Sequence, residues 1–388
     1  MAHPPRRWEP KISPTLFKLM HGFRLWFARR EARLTRYDIE GAEIVREARK
    51  KGHGVLIIAN HPTHADPSAM SEAAWEVGCP FHFMATWNVF DVQGRIGQWI
   101  MQKHGVFSID RDGTDVVALK TARNILQESE FPLVIFAEGE VYLCNDRVTP
   151  FREGAAAIAL LSARSQKRPI VCVPCALKYS YIKDPMPELL SLMDEIEGSI
   201  HWRPRPEKPI VERIYDVGSA LLALKEIEFL GHACEGPIDT RIKSLIDHIL
   251  EKHEQKSGIK SGDKTVPERI KELRRRALKA IEKLEDGDSE GRAAIDRDLD
   301  DFLNVVQLFS YPGNYIDENP TVERIAETMD KFEEDILKRQ PAIVRGERAV
   351  RIRFGEPIEV SSEKKKGAAR ELTDQLEEKV QDLLDDMT

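Results

Sequence analysis

Apolar positions change their period along the chain, and the change separates regions of different character. Leu16, Leu19, Met20, Phe23, Trp26 and Phe27 recur at three- and four-residue spacing, which predicts a helix with one aromatic-rich apolar face. Ser13-Pro14 supplies its start, a side-chain cap followed by proline at the first helical position. From residue 42 the pattern alternates. A helical stretch at 42–51 precedes the apolar run Gly54–Ala59, and further strand-like runs follow at Phe81–Ala85, Gly105–Ile109, Leu133–Phe136 and Ile170–Ala176. Helical patterns near 67–77, 95–103, 114–128 and 153–165 lie between them. This alternation predicts an α/β fold class with a largely parallel central sheet and flanking helices.

Beyond residue 185 the strand signal stops. Segments 187–197, 219–229, 238–256, 267–285, 293–308 and 320–338 are charged and helical in pattern. Ala349–Phe354 then alternates as a strand does, and a charged helix over 364–387 follows. Pro204, Pro206 and Pro209 mark a break, and the Gly/Ser/Lys run 256–264 reads as a loop. The expected organisation is an amphipathic membrane-association segment at 1–37 and an α/β core at 38–215. A helical insertion at 216–340, a closing core strand at 341–362 and a C-terminal helix at 363–388 complete it.

Composition changes the picture in three places. With 41% hydrophobic residues a core needs no disulfide or metal staple, and five scattered cysteines fit a reducing compartment. Cys172 and Cys175, three apart on a predicted strand, point to opposite faces and read as core rather than as shared metal ligands. The net charge of -7 hides an asymmetry: residues 1–37 hold nine Lys/Arg against two acidic residues, a net +7 that leaves -14 for the rest. So acidic a body argues against a nucleic-acid partner. Arg and Lys flanking an aromatic stripe suit an anionic membrane surface, although the stripe can equally dock on the α/β core. No run approaches the ~20 apolar residues of a membrane span, and the N-terminus lacks the pattern of a secretory signal. The expected location is the cytoplasm, peripheral on the membrane face.

The candidate chemistry sits where Gly54–Ala59 opens into Asn60-His61-Pro62-Thr63-His64-Ala65-Asp66-Pro67. Loops at the carboxyl ends of strands in open α/β sheets are where ligands bind. His61 can take a proton from an attacking hydroxyl while Asp66 fixes the imidazole tautomer. On a regular helix a five-residue offset separates two side chains by roughly 140°, so the pair requires a corner, which Pro62 and Pro67 supply. The competing reading makes Asp66 only the cap of the helix at 67–77. A metal at His61, His64 and Asp66 lacks the helical spacing such sites use.

Asn60-His61-x4-Asp66-Pro67 resembles the first block of the glycerol-phosphate and lysophospholipid acyltransferases. Gly105–Arg111 resembles their second block, Phe136-Ala-Glu138-Gly139 the third, and Val173-Pro174 the fourth. Pro150-Phe151-Arg152-Glu-Gly154 and Gly355-Glu-Pro-Ile358 also resemble segments of that family. The resemblance implies an O-acyltransferase with His61 and Asp66 as the catalytic pair. It implies acyl-CoA or an acyl carrier protein as co-substrate, no resident cofactor or metal, and a lysophospholipid such as 1-acylglycerol-3-phosphate as acceptor. Arg111 would hold the acceptor's phosphate, and the Glu138-Gly139 loop would serve the oxyanion or substrate. The third block departs from the family pattern: Glu140-Val141 stands where Thr-Arg is usual. Arg147 and Arg152 are the nearby cations that can replace the missing one.

Overall fold

In the computed structural model one sheet holds eight strands: β1 (Leu34–Glu40), β2 (Gly54–Ala59), β3 (His82–Thr86), β4 (Val106–Ile109), β5 (Leu133–Phe136), β6 (Ile170–Tyr181), β7 (Arg348–Phe354) and β8 (Ile358–Glu359). The structure describes residues 6–111, 115–259, 262, 264–285, 288–318 and 320–387. Asp112 and part of the predicted 256–264 loop lie outside the described residues, as do residues 1–5 of the basic segment. The strand order is β1-β7-β6-β2-β5-β3-β4, with β8 also beside β6. All pairings are parallel except β6 with β7 and β6 with β8. The fold is therefore α/β with a mostly parallel central sheet.

The central strand explains its own burial. Every residue of β2 is buried, and period two sends its side chains to alternate faces. Val55, Ile57 and Ala59 join one apolar cluster, whereas Leu56 and Ile58 join the other. Cys175 and Cys172 divide in the same way. The first cluster packs α1 (Pro14–Leu19), α2 (His21–Ala32), α3 (Ala42–Lys50) and α4 (Asp66–Val77) against the sheet. Short helices α5 (Trp87–Asp91) and α6 (Arg95–Lys103) join β3 to β4. Across the sheet, the second cluster uses α7 (Val116–Glu128), α8 (Gly154–Ala163) and a C-terminal helix over Ala368–Asp385. That last helix contributes Leu372, Leu376, Val380 and Leu384, four residues apart on one face.

Contacts divide the chain into two units, Met1–Lys183 with Gly346–Thr388, and Asp184–Arg345. The sheet belongs to the first. The second is helical: α9 (Met186–Ser199), α10 (Ile210–Leu230), α11 (Ile238–Ser257), α12 (Val266–Ile281), α13 (Ser289–Phe309), α14 (Tyr315–Glu318) and α15 (Val322–Asp335). Residues 216–340 fall inside it. Its core gathers Leu222, Leu245, Ile249, Leu273 and Phe302 among others. Buried guanidiniums are paired there, Arg213 with Glu197 at 2.8 Å and Arg241 with Glu226 at 2.7 Å, which offsets the desolvation each charge would otherwise suffer.

The N-terminal pattern requires a correction. The single predicted helix is two, because α1 ends at Leu19, Met20 lies between, and α2 starts at His21. The face turned inward carries Phe17, Ala28 and Ala32, while Leu19, Phe23, Trp26 and Phe27 are exposed. The segment is also woven into the first unit. Trp8 is buried and stacks on Phe90 at 5.0 Å, and Leu34 opens strand β1. The C-terminal helix is α16 (Ala368–Asp385). No helix among the described residues is long and apolar enough to cross a membrane.

Candidate active site

Side chains from β2, β5 and β6 and from the loops after β2, β4 and β5 meet at the carboxyl end of the sheet. The chain leaves β2 through Asn60, whose side chain bonds the Leu177 backbone in both directions, accepting at 2.8 Å and donating at 3.0 Å. This fixes the exit from the strand. His61 follows, its Nδ1 lying 2.6 Å from Asp66 Oδ2, and its ring stacks on Phe136 at 4.3 Å. Asp66 is the first residue of α4, so the required corner lies between residues 61 and 66.

Asp66 is fully buried, and its carboxylate is saturated with donors. Oδ2 also accepts from the Thr63 N–H at 3.1 Å, while Oδ1 accepts from Thr63 Oγ1 at 3.2 Å and from the Tyr179 hydroxyl at 2.7 Å. Ala65, not Asp66, is the capping residue of α4, and the Asp66 carboxylate is engaged by His61, Thr63 and Tyr179. Burial and the Asp66 charge push the Tyr179 hydroxyl well above its ordinary pKa, so it remains a neutral donor. With Nδ1–H held on Asp66, the neutral imidazole carries its lone pair on Nε2. The His61 side chain is 18% exposed, against 0% for Asp66. The imidazole is partly exposed and the carboxylate beside it is shielded.

Glu138 stands after β5 and is buried. Its Oε1 accepts the His61 backbone N–H at 2.8 Å, and its Oε2 accepts from the Thr149 hydroxyl and backbone. The side chain thus ties the β2 loop to the β5 loop. Burial outweighs these donors and raises the Glu138 carboxyl to about 7. Gly139 adopts φ +77°, and a Cβ there would meet Arg152 Nε at 2.6 Å. Glycine is required on both counts. The Gly139 N–H is spent on the Phe136 carbonyl at 3.1 Å, within the turn.

Two guanidiniums converge on the same turn. Arg152 Nε donates to the Glu138 carbonyl at 3.1 Å, and Arg111 Nη1 donates to the Gly139 carbonyl. Between them is a carboxylate that sequence reasoning passed over. Glu140 Oε1 lies 2.9 Å from Arg111 Nη1 and 3.9 Å from Arg152 Nη2. Among the described residues, Arg111 thus pairs with Glu140. Arg147 is half-buried further along the loop. Tyr179 and Thr63 were also missed. Tyr179 lies beyond the predicted end of its strand at 176, and β6 continues to Tyr181. Its odd-numbered place in register with Cys175 and Leu177 is the signal that would have found it.

Residues 36–178 match the family model described as Acyltransferase. A search of the curated proteins found no match to the chain.

Proposed function

We propose, from the match of residues 36–178 to the Acyltransferase family model, that the chain is an O-acyltransferase of the glycerolipid type that moves a fatty acyl group from acyl-CoA or an acyl carrier protein to a lysophospholipid hydroxyl, in phospholipid synthesis. The observation that carries this reading is the His61 Nδ1 to Asp66 contact at 2.6 Å, with Asp66 buried and His61 partly exposed. His61 Nε2 takes the proton of the acceptor hydroxyl as its oxygen attacks the thioester carbonyl. The C–O bond forms, the C–S bond breaks, and the proton passes to the leaving thiolate. Asp66 holds the ring in one tautomer and stabilises the imidazolium between these steps. Arg111 and Arg152 are the cations for an anionic headgroup, and Glu138 keeps the two loops in register.

Membrane attachment is part of the proposal. Leu19, Phe23, Trp26 and Phe27 are exposed, and Phe23 lies 5.6 Å from Trp26 and 6.2 Å from Phe27. Lys18, Arg29 and Arg30 are exposed near them. An aromatic patch rimmed by cations fits the headgroup layer of an anionic bilayer on its cytoplasmic face. The test is mass spectrometry of lipids formed by the purified protein from acyl-CoA or acyl carrier protein and a panel of lysophospholipids. A new diacyl product is expected. If every lysophospholipid stays unacylated with both donors, the acceptor class is wrong.

A further inference from the structure

Glu140 stands inside the cationic pair that would hold the acceptor, and the charges there do not match a phosphate monoester. Arg111 and Arg152 bring two positive charges to the turn after β5, and Glu140 Oε1 engages both, at 2.9 and 3.9 Å. The cluster therefore carries one net positive charge. None of the three is sealed away: the side chains of Arg111, Glu140 and Arg152 are 33%, 36% and 27% exposed. The guanidiniums are anchored independently of the carboxylate, Arg152 on the Glu138 carbonyl and Arg111 on the Gly139 carbonyl. Arg152 also meets the buried Tyr142 hydroxyl. Removing Glu140 would thus leave both cations in place, and what Glu140 controls is the charge they present.

We infer that Glu140 is a specificity-determining residue that sets the site for a headgroup with one negative charge, a phosphodiester, and against a phosphate monoester. The inference rests on the acyl-transfer reading for the identity of the ligand as acceptor. A monoester carries close to two negative charges at neutral pH. Within the Arg111–Glu140–Arg152 trio it would meet one uncompensated cation, with the Glu140 carboxylate at its side. A phosphodiester carries one charge and balances the cluster. Such discrimination works by placing a repulsive element against the wrong ligand.

The test compares wild type with Glu140→Gln and Glu140→Asp. Acylation of a lysophosphatidylglycerol and of a lysophosphatidic acid with the same chain is measured as kcat/KM. Calorimetric binding of glycerophosphoglycerol and glycerol 3-phosphate is measured beside it. Wild type and Glu140→Asp should prefer the diester in both assays. Glu140→Gln should shift the diester-to-monoester ratio toward the monoester by about tenfold, as expected for removing a like charge from a partly exposed site. An unchanged ratio in Glu140→Gln, or a wild-type preference for the monoester, overturns the inference. Should no acceptor be acylated while the binding ratio still shifts, the acyl-transfer reading fails and the role of Glu140 in charge selection stands.

Discussion

At the scale of single residues, the site is a sequence of supports in which each side chain is held by the next. His61 is oriented by Asp66, and Asp66 is held by Thr63 and Tyr179. His61→Ala should lower kcat/KM roughly 10²–10⁴-fold, the usual contribution of a general base, and should leave thermal unfolding close to wild type. Tyr179→Phe should retain more activity than His61→Ala, because the two Thr63 donors still hold the carboxylate. Product formation at fixed thioester concentration checks both, and near-full activity in His61→Ala would end the mechanism. Glu138 yields a pH prediction. Its buried carboxyl titrates at about 7 rather than at its ordinary 4.5. The folded chain therefore keeps a proton that the unfolded chain releases. Stability should decline as pH rises from about 4.5 to about 7 and flatten above, by about 3 kcal/mol in all. Glu138→Gln should lack that slope in urea unfolding from pH 4.5 to 8; parallel curves for the two proteins would contradict it. His61, Asp66, Arg111 and Glu138 were legible because spacing and family blocks mark them. Glu140 and Tyr179 were not, since their meaning arises only from what the fold sets beside them.

Among the elements, burial on both faces made β2 and β5 conspicuous, because a parallel strand between two helical layers is apolar throughout. Strand β1 escaped notice for the opposite reason. It is an edge strand whose residues mostly alternate between half-buried and exposed, and its Leu-Thr-Arg-Tyr-Asp-Ile-Glu sequence has few apolar positions. The N-terminal stripe was legible as a stripe but not for which way it faces. Period alone identifies an amphipathic surface; only the fold shows that Phe17, Ala28 and Ala32 turn inward while the aromatics turn out. Since Trp8, Phe17 and Leu34 are buried, deleting residues 1–37 would damage the first unit and cannot isolate membrane binding. The cleaner variant is Phe23→Ser, Trp26→Ser and Phe27→Ser together, all at exposed positions. It should unfold at nearly the wild-type temperature yet sediment with anionic vesicles far less. Wild-type binding should also weaken as salt shortens the Debye length. Equal sedimentation of variant and wild type would move the attachment site elsewhere.

For the whole molecule, the notable fact is how the chain leaves the sheet and returns. Strand β6 ends at Tyr181 and β7 begins at Arg348, and these two residues are direct antiparallel partners. The Ile182 N–H continues the ladder to the Glu347 carbonyl at 2.7 Å. The ends of the helical unit are thus already as close as the two ends of a β-hairpin turn. A hairpin needs only two to five residues to close, so Asp184–Arg345 stands where a short turn would suffice. Sequence patterning identified the helices of this unit, but not that its entry and exit are paired, because register between distant strands leaves no local trace. The physical consequence is testable. Replacing residues 184–345 by a short Asn-Gly turn joining Lys183 to Gly346 should give a soluble protein that retains the sheet, both apolar clusters and the His61–Asp66 pair. Shortening the loop also lowers the entropy of closure, though only slowly with length. Cooperative unfolding of the shortened protein, together with acyl transfer lost on His61→Ala, is the expected result. A shortened protein that is insoluble or unfolds without cooperativity would mean that the sheet depends on the helical unit for its stability.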